Sequence, residues 1–159
     1  MNKEKKKLGD MLLEAGLIEE MQLTTAISYQ NEWGGKLGSI IIKKGFVSEQ
    51  DMISVLEKQL GLKCISFESM EKPSSEVLKF VKSDIAKKFG FFPLKLEDKA
   101  LLIAISDPTD LKTLDAISFS LSARVKPMLA LESDIIKAIE VYYEGKFRPG
   151  KTYRIDKEK

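Results

Sequence analysis

The sequence contains no histidine and a single cysteine, Cys64. Imidazole-based acid–base or nucleophilic catalysis is therefore excluded. Zinc or iron sites built from the usual ligands are excluded as well. One thiol closes no internal disulfide, which fits a reducing compartment. No apolar run approaches the ~20 residues that a membrane helix needs. The charged N-terminus offers no stretch of signal-peptide type. The chain is thus expected to be cytoplasmic and non-enzymatic, with no metal, no cofactor and no membrane insertion. An excess of either charge is lacking too. Lys and Arg number 26 against 24 Asp and Glu, a formal net charge of +2, which is too small to imply DNA or RNA as a partner. Basic residues cluster only at the ends, at Lys3, Lys5, Lys6 and Lys7 and again at Lys151, Arg154, Lys157 and Lys159. Such runs read as solvated tails.

What the chain does have is 159 residues, 43% of them hydrophobic, enough for one domain or two small ones. It also has an internal repeat. Residues 7–30 read KLGDMLLEAGLIEEMQLTTAISYQ, and residues 36–59 read KLGSIIIKKGFVSEQDMISVLEKQ. A shift of 29 residues aligns Lys7 with Lys36, Leu8 with Leu37, Gly9 with Gly38 and Gly16 with Gly45. The same shift aligns Glu20 with Glu49, Leu23 with Met52, Ile27 with Leu56 and Gln30 with Gln59. Each unit reads as a short helix, a glycine turn and a longer helix, so residues 5–60 predict a four-helix unit. Gly16 and Gly45 fall where a helix end needs a left-handed residue. Ser48 followed by Asp51 suits an N-cap. Met52, Leu56 and Leu60 form a helical apolar stripe, and 31–35 reads as the linker between the copies.

Packing accounts for the apolar repeats but poorly for the others. A glycine inside a helix costs about 0.5–1 kcal/mol relative to alanine, and is tolerable where something approaches the backbone closely. A glutamine closing each long helix can donate and accept at once, as a base edge requires. A lysine opening each short helix offers a cation beside exposed N–H groups, suited to phosphate. Duplicated polar clusters of this kind suit a ligand with duplicated halves.

The second half changes texture. Ser74 can cap a short helix starting near Ser75, and a second helix is expected at Ser83–Phe89. Phe91–Glu97 and Ala100–Ser106 read as a β-hairpin turning at Asp98–Lys99. Asp107 to Asp110 read as a turn and helix cap. A helix Leu111–Leu121, a strand Arg124–Ala130 and a helix Glu132–Tyr143 with Ser133 near its cap follow. The order β-β-α-β-α implies a three-stranded sheet with helices on one face. The expected class is α+β: a helical tandem-motif subdomain over 1–66, an α+β subdomain over 67–145, and a basic flexible tail over 146–159. That tail begins inside a match to the P-loop pattern G-x-x-x-x-G-K-[ST], Gly145 to Thr152. The pattern works only between a strand and a helix. Here a helix precedes it, no helix follows, and Pro149 removes an amide. Nucleotide hydrolysis is not expected.

These residues resemble the N-terminal domain of type II secretion and type IV pilus assembly ATPases. The repeat resembles the version called the MshEN domain, which binds cyclic di-GMP through two RLG-type motifs of 24 residues with a five-residue spacer. The second half resembles the associated subdomain through AISDPTDLKTLDAISF and VKPMLALESDIIKAIEVYY. The resemblance spans about residues 5–145 and implies a bacterial regulatory module, here without the ATPase domain that normally follows. It implies cyclic di-GMP as ligand. The implied site residues are Lys7, Leu8, Gly9, Leu23, Ile27 and Gln30 in the first motif. In the second they are Lys36, Leu37, Gly38, Met52, Leu56 and Gln59. Asp107 of the DP turn is implied as a further contact reaching over the ligand. It also implies a secretion- or pilus-type protein partner, the alternative being an adaptor that has lost nucleotide binding. The motif-opening residue is Arg in the family and Lys here, twice. Charge is kept and the bidentate fork is lost, which predicts weakened binding.

Overall fold

The computed structural model describes residues 7–146. The P-loop-like stretch beyond Lys146, most of the expected tail and the first six residues lie outside them. The tandem repeat folds as expected into α1 (Leu8–Glu14), α2 (Glu20–Trp33), α3 (Leu37–Lys43) and α4 (Glu49–Leu60). Helix α2 takes in the first three residues of the expected 31–35 linker and stops at Gly34, whose φ is +82°. Both short helices end in the same way. Gly16 and Gly45 are left-handed. Their amides and those of Leu17 and Phe46 turn back onto carbonyls of the preceding turn, so the last carbonyls stay satisfied. Ser48 caps α4 by accepting from the Asp51 N–H at 3.1 Å.

The copies pack across one another. Helix α1 lies on α4, and α3 lies on α2, so each short helix covers the other copy's long helix. The shared core is Leu12, Ile41 and Leu56, all fully buried, with Ile18 and Val47 at matching depth. Packing also explains the repeated helical glycines. A Cβ on Gly9 would lie 3.0 Å from Leu23, and one on Gly38 would lie 3.3 Å from Met52 and Leu8. Leu23 and Met52 are themselves equivalent in the repeat, so the close approach that the glycines allow is first of all that of the copy's own long helix.

A 3-10 turn at Phe67–Ser69 leads into α5 (Ser75–Phe80) and α6 (Ser83–Phe89), then β1 (Phe91–Glu97), β2 (Ala100–Ile105), α7 (Leu111–Leu121), β3 (Arg124–Leu129) and α8 (Glu132–Tyr142). The class is α+β, as expected. Strand β2 is central, antiparallel to β1 and parallel to β3. Asp98 and Lys99 both have positive φ, the twist that suits a two-residue hairpin. Helices cover both faces of the sheet rather than the one expected. Phe91, Leu101, Ile103 and Ile105 face α5 and α7, while Phe92 and Ala104 face α8. The reason is legible in β2, Ala-Leu-Leu-Ile-Ala-Ile, whose residues are all buried. An unbroken apolar run needs cover on both sides.

Leu129 at the end of β3 belongs to the helical core, and Ile65 bonds to its carbonyl at 2.8 Å. The sheet edge is thus joined to the helical half here. Leu56→Ala removes a fully buried side chain from the centre of the cross-copy packing. A loss of about 2–5 kcal/mol is expected, read by urea denaturation as a lowered midpoint with an unchanged m-value.

Candidate functional site

The parallel strands β2 and β3 both end at the face where the second motif copy meets the α+β half. Beyond them the chain turns into α7 and α8, and a cleft of about 730 Å³ opens there. Crevices beyond the carboxyl ends of parallel strands are a common place for ligands. Copy one contributes Lys7, Leu8 and Gln30 to the walls; copy two contributes Lys36, Leu37, Gly38 and Met52; the DP turn contributes Asp107. Eight of the sequence-implied residues are therefore brought together. The other five do not line the cleft. Gly9 and Leu23 pack on each other, Leu56 is fully buried, Ile27 is exposed at 40%, and Gln59 points to solvent on α4.

The two motif-opening lysines are not equivalent. Both stand at the N-cap of a short helix with no side-chain cap bond. Lys7 is exposed. Lys36 is half-buried, and its Nζ donates to the Gly90 carbonyl at 3.2 Å. Gly90 ends α6 with φ +72°, and a Cβ there would collide with the Lys36 ammonium and come within 2.9 Å of its Cε. Burial lowers the Lys36 pKa, while Glu132, Asp110 and Asp107 pull it back up. The glutamines differ too. Gln30 Nε2 donates to the Gly35 carbonyl at 3.0 Å, tying down the linker between the copies, whereas Gln59 is exposed on the outer face.

The carboxylates sort by how much of each is already used. Asp110 caps α7 and accepts from Thr113 with both oxygens, at 3.1 and 2.7 Å. Glu49, the first residue of α4, accepts from the Ser133 N–H at 3.2 Å and from its hydroxyl at 3.1 Å. Ser133 is thus no cap of its own helix; α8 borrows Glu49 from α4. Asp107 Oδ1 accepts from the Thr109 amide at 3.0 Å and from its hydroxyl. Burial raises the Asp107 pKa, opposed by those Thr109 bonds and by Lys36. Glu132 Oε1 accepts from the Ser39 hydroxyl at 2.5 Å, linking α8 to α3. Ser39, Glu49, Asp110, Lys112 and Glu132 were not singled out from sequence as site residues. The cap pattern at Asp110 flagged a helix start, and the repeat flagged Glu49 as the counterpart of Glu20, but neither signal pointed to a wall. Among the described residues no group of acidic, cysteine or histidine side chains could hold a metal ion.

Residues 60–148 match the model of the MshEN domain, so the family match falls on the second half, while other relatives cover the repeat as well. The type IV pilus assembly ATPase PilB of Myxococcus xanthus is 28% identical over 140 residues, which is 88% of this chain and 25% of PilB. Bacteriophage adsorption protein B of Escherichia coli is 29% identical over 136 residues, 86% of this chain and 18% of that protein. The chain therefore spans a quarter or less of these relatives. Among solved structures, MshE with cdg (cyclic di-GMP) is similar at a TM-score of 0.64 and 28% identity, covering 87% of this chain and 100% of that one. The N-terminal domain of XpsE has the same fold, with a TM-score of 0.71 at 24% identity over 89% of this chain and 99% of that one.

The Lys36–Gly90 contact predicts a measurable coupling. Gly90→Ala should cost about 1–3 kcal/mol, part backbone strain and part eviction of Lys36. In a Lys36→Ala background only the strain remains. A urea-denaturation double-mutant cycle should give a coupling of about 0.5–3 kcal/mol; a coupling of zero would show that the contact contributes nothing.

Proposed function

This chain belongs to the MshEN domain family, and on that premise we propose that it is a non-catalytic regulatory and docking module that binds cyclic di-GMP in the cleft. The observation that carries this reading is the composition of the cleft wall. Both motif copies and the α+β half meet there, and each brings chemistry the dinucleotide uses. Lys7, Lys36 and Lys112 are cations for the two phosphates. Leu8, Leu37 and Met52 are apolar surface for the base faces. Gln30 has an amide that both donates and accepts. The similar fold of MshE, solved with cyclic di-GMP, supports the same ligand here.

A ligand in this position touches both halves and so stabilises one relative arrangement of them. Any partner that reads that arrangement then responds to the ligand. Imidazole-based catalysis is closed to a chain that holds no histidine. No helix among the described residues is long and apolar enough to cross a membrane, and we place the module on the cytoplasmic side of a secretion- or pilus-type assembly. A second reading, an adaptor without ligand, draws on α2. Met21, Tyr29 and Trp33 are exposed there at 79%, 42% and 69%, an apolar strip suited to a protein partner.

Calorimetry with cyclic di-GMP should give saturable binding, weakened by Lys7→Ala and by Gln30→Ala. Saturation at 100 times Kd should stabilise the fold by about 2.7 kcal/mol, read as a raised melting temperature. Lys7→Arg should tighten binding, because the fork geometry is restored. Neither heat nor a thermal shift at high ligand concentration would leave the adaptor reading standing alone.

A further inference from the structure

The repeat sets each surface position of one copy beside its counterpart in the other. On α4 the row Gln50, Ser54 and Lys58 is polar and exposed, as a solvated helix face should be. The 29-residue shift places Met21, Thr25 and Tyr29 in that row on α2, and Trp33 continues it by one turn. Four-residue spacing sets the four side chains on one face, and all four are exposed. The Thr25 hydroxyl donates to the Met21 carbonyl at 2.9 Å, so its polar group is satisfied within the helix. The Tyr29 and Trp33 ring centres lie 6.4 Å apart and form one aromatic surface. The same fold in copy two does without apolar residues in this row. In copy one they answer to something other than folding.

The charge beside the row is particular to it as well. Helix α3 packs on α2 and ends in Lys43, with Lys44 next. Their counterparts at the end of α1 are Glu14 and Ala15. Both lysines are exposed, and neither has a carboxylate partner among the described residues. Lys44 Nζ stands 4.6 Å from the centre of the Tyr29 ring, so its charge lies at the row itself. Of the acidic residues of α2, Glu32 borders the row, one turn beyond Tyr29, while Glu20 faces away from it. The border is thus net basic.

These features choose among occupants. A second copy laid antiparallel on the row would set Met21 against Trp33, but would bring its own Lys43 and Lys44 to the same seam. The ends of this chain are basic and would meet the lysines with like charge. A membrane surface calls for a broad apolar face, whereas this row is one side chain wide and Ile27, the other exposed apolar residue of α2, lies across the helix. An amphipathic helix with carboxylates beside its apolar residues matches both the row and its border. We propose that α2 docks such an acidic amphipathic helix of a protein partner. Tyr29 and Trp33 anchor its apolar residues, and Lys43 and Lys44 meet its carboxylates. The inference rests on the docking reading of α2 above, names the partner's chemistry, and is independent of the nucleotide.

Trp33 is the single tryptophan of the chain, so its fluorescence reports the row directly. The full chain is titrated with two synthetic amphipathic helices of about 18 residues that lack tryptophan. Both carry a leucine row, flanked by glutamates in one and by lysines in the other. The acidic helix should shift the Trp33 emission to the blue saturably and lose affinity as salt rises. The basic helix should bind about tenfold more weakly. In the Lys43→Glu, Lys44→Glu double variant that order should reverse, with the melting temperature unchanged because both side chains are exposed. Trp33→Ala, followed by calorimetry, should weaken the acidic helix as well. Equal binding of the two helices, or an order that survives the charge reversal, would overturn the acidic partner and leave α2 as a docking strip. Binding of neither helix would overturn both. A blue shift with anionic phospholipid vesicles but not with the acidic helix would overturn it in favour of a membrane surface. A dimer in sedimentation that Trp33→Ala abolishes would overturn it in favour of a second copy.

Discussion

An ammonium group taken half out of water needs acceptors and counter-charge, or its desolvation weakens the fold. Lys36 receives both at the seam between the two halves. Gly90 supplies a carbonyl with no side chain in the way. Asp107, Asp110 and Glu132 supply negative charge from the turn before α7 and from the start of α8. The rest of the arrangement follows from that meeting. The DP turn must be rigid, so Thr109 and Thr113 bond to its aspartates. Helix α8 must start at a fixed height, so Glu49 and Ser39 hold its first turn from the other half.

The seam's charges also restrain one another. Burial pushes the Asp107 carboxyl up and the Lys36 ammonium down, each toward its neutral form, and each group draws the other part of the way back. Removing either therefore leaves the other in a less tolerable place. A cleft lined by both signs of charge suits a ligand that is anionic at its phosphates and rich in N–H donors at its bases.

Most of the architecture was legible because local signals and tertiary needs agree. The Asp98–Lys99 turn, the Ser48, Ser74 and Asp110 caps, and the glycines closing α1 and α3 all sit where a left-handed residue or a short polar side chain is required. Two features were hidden for identifiable reasons. The single-faced sheet expectation treated the β2 run as one face of a hairpin, although six apolar residues in succession already call for two layers. The repeat read as two equal halves, because sequence shows which residues are duplicated and not which of them dock. Lys7 and Lys36 are the same letter in the same register, yet one is exposed and the other is bonded to Gly90. Glu132 carried no signal at all. Its place depends on Ser39, 93 residues away in sequence.

The crossed packing of the four helices has a consequence for symmetry. Each short helix rests on the long helix of the other copy, which is the contact two separate single-motif chains would make about a two-fold axis. Joining such a pair through Gly34 and Gly35 frees the protomers from having to remain identical. One could then acquire a fixed seat on a neighbouring domain while its twin kept its cation in water. The asymmetry between Lys7 and Lys36 is one that two identical chains about a two-fold axis could not show.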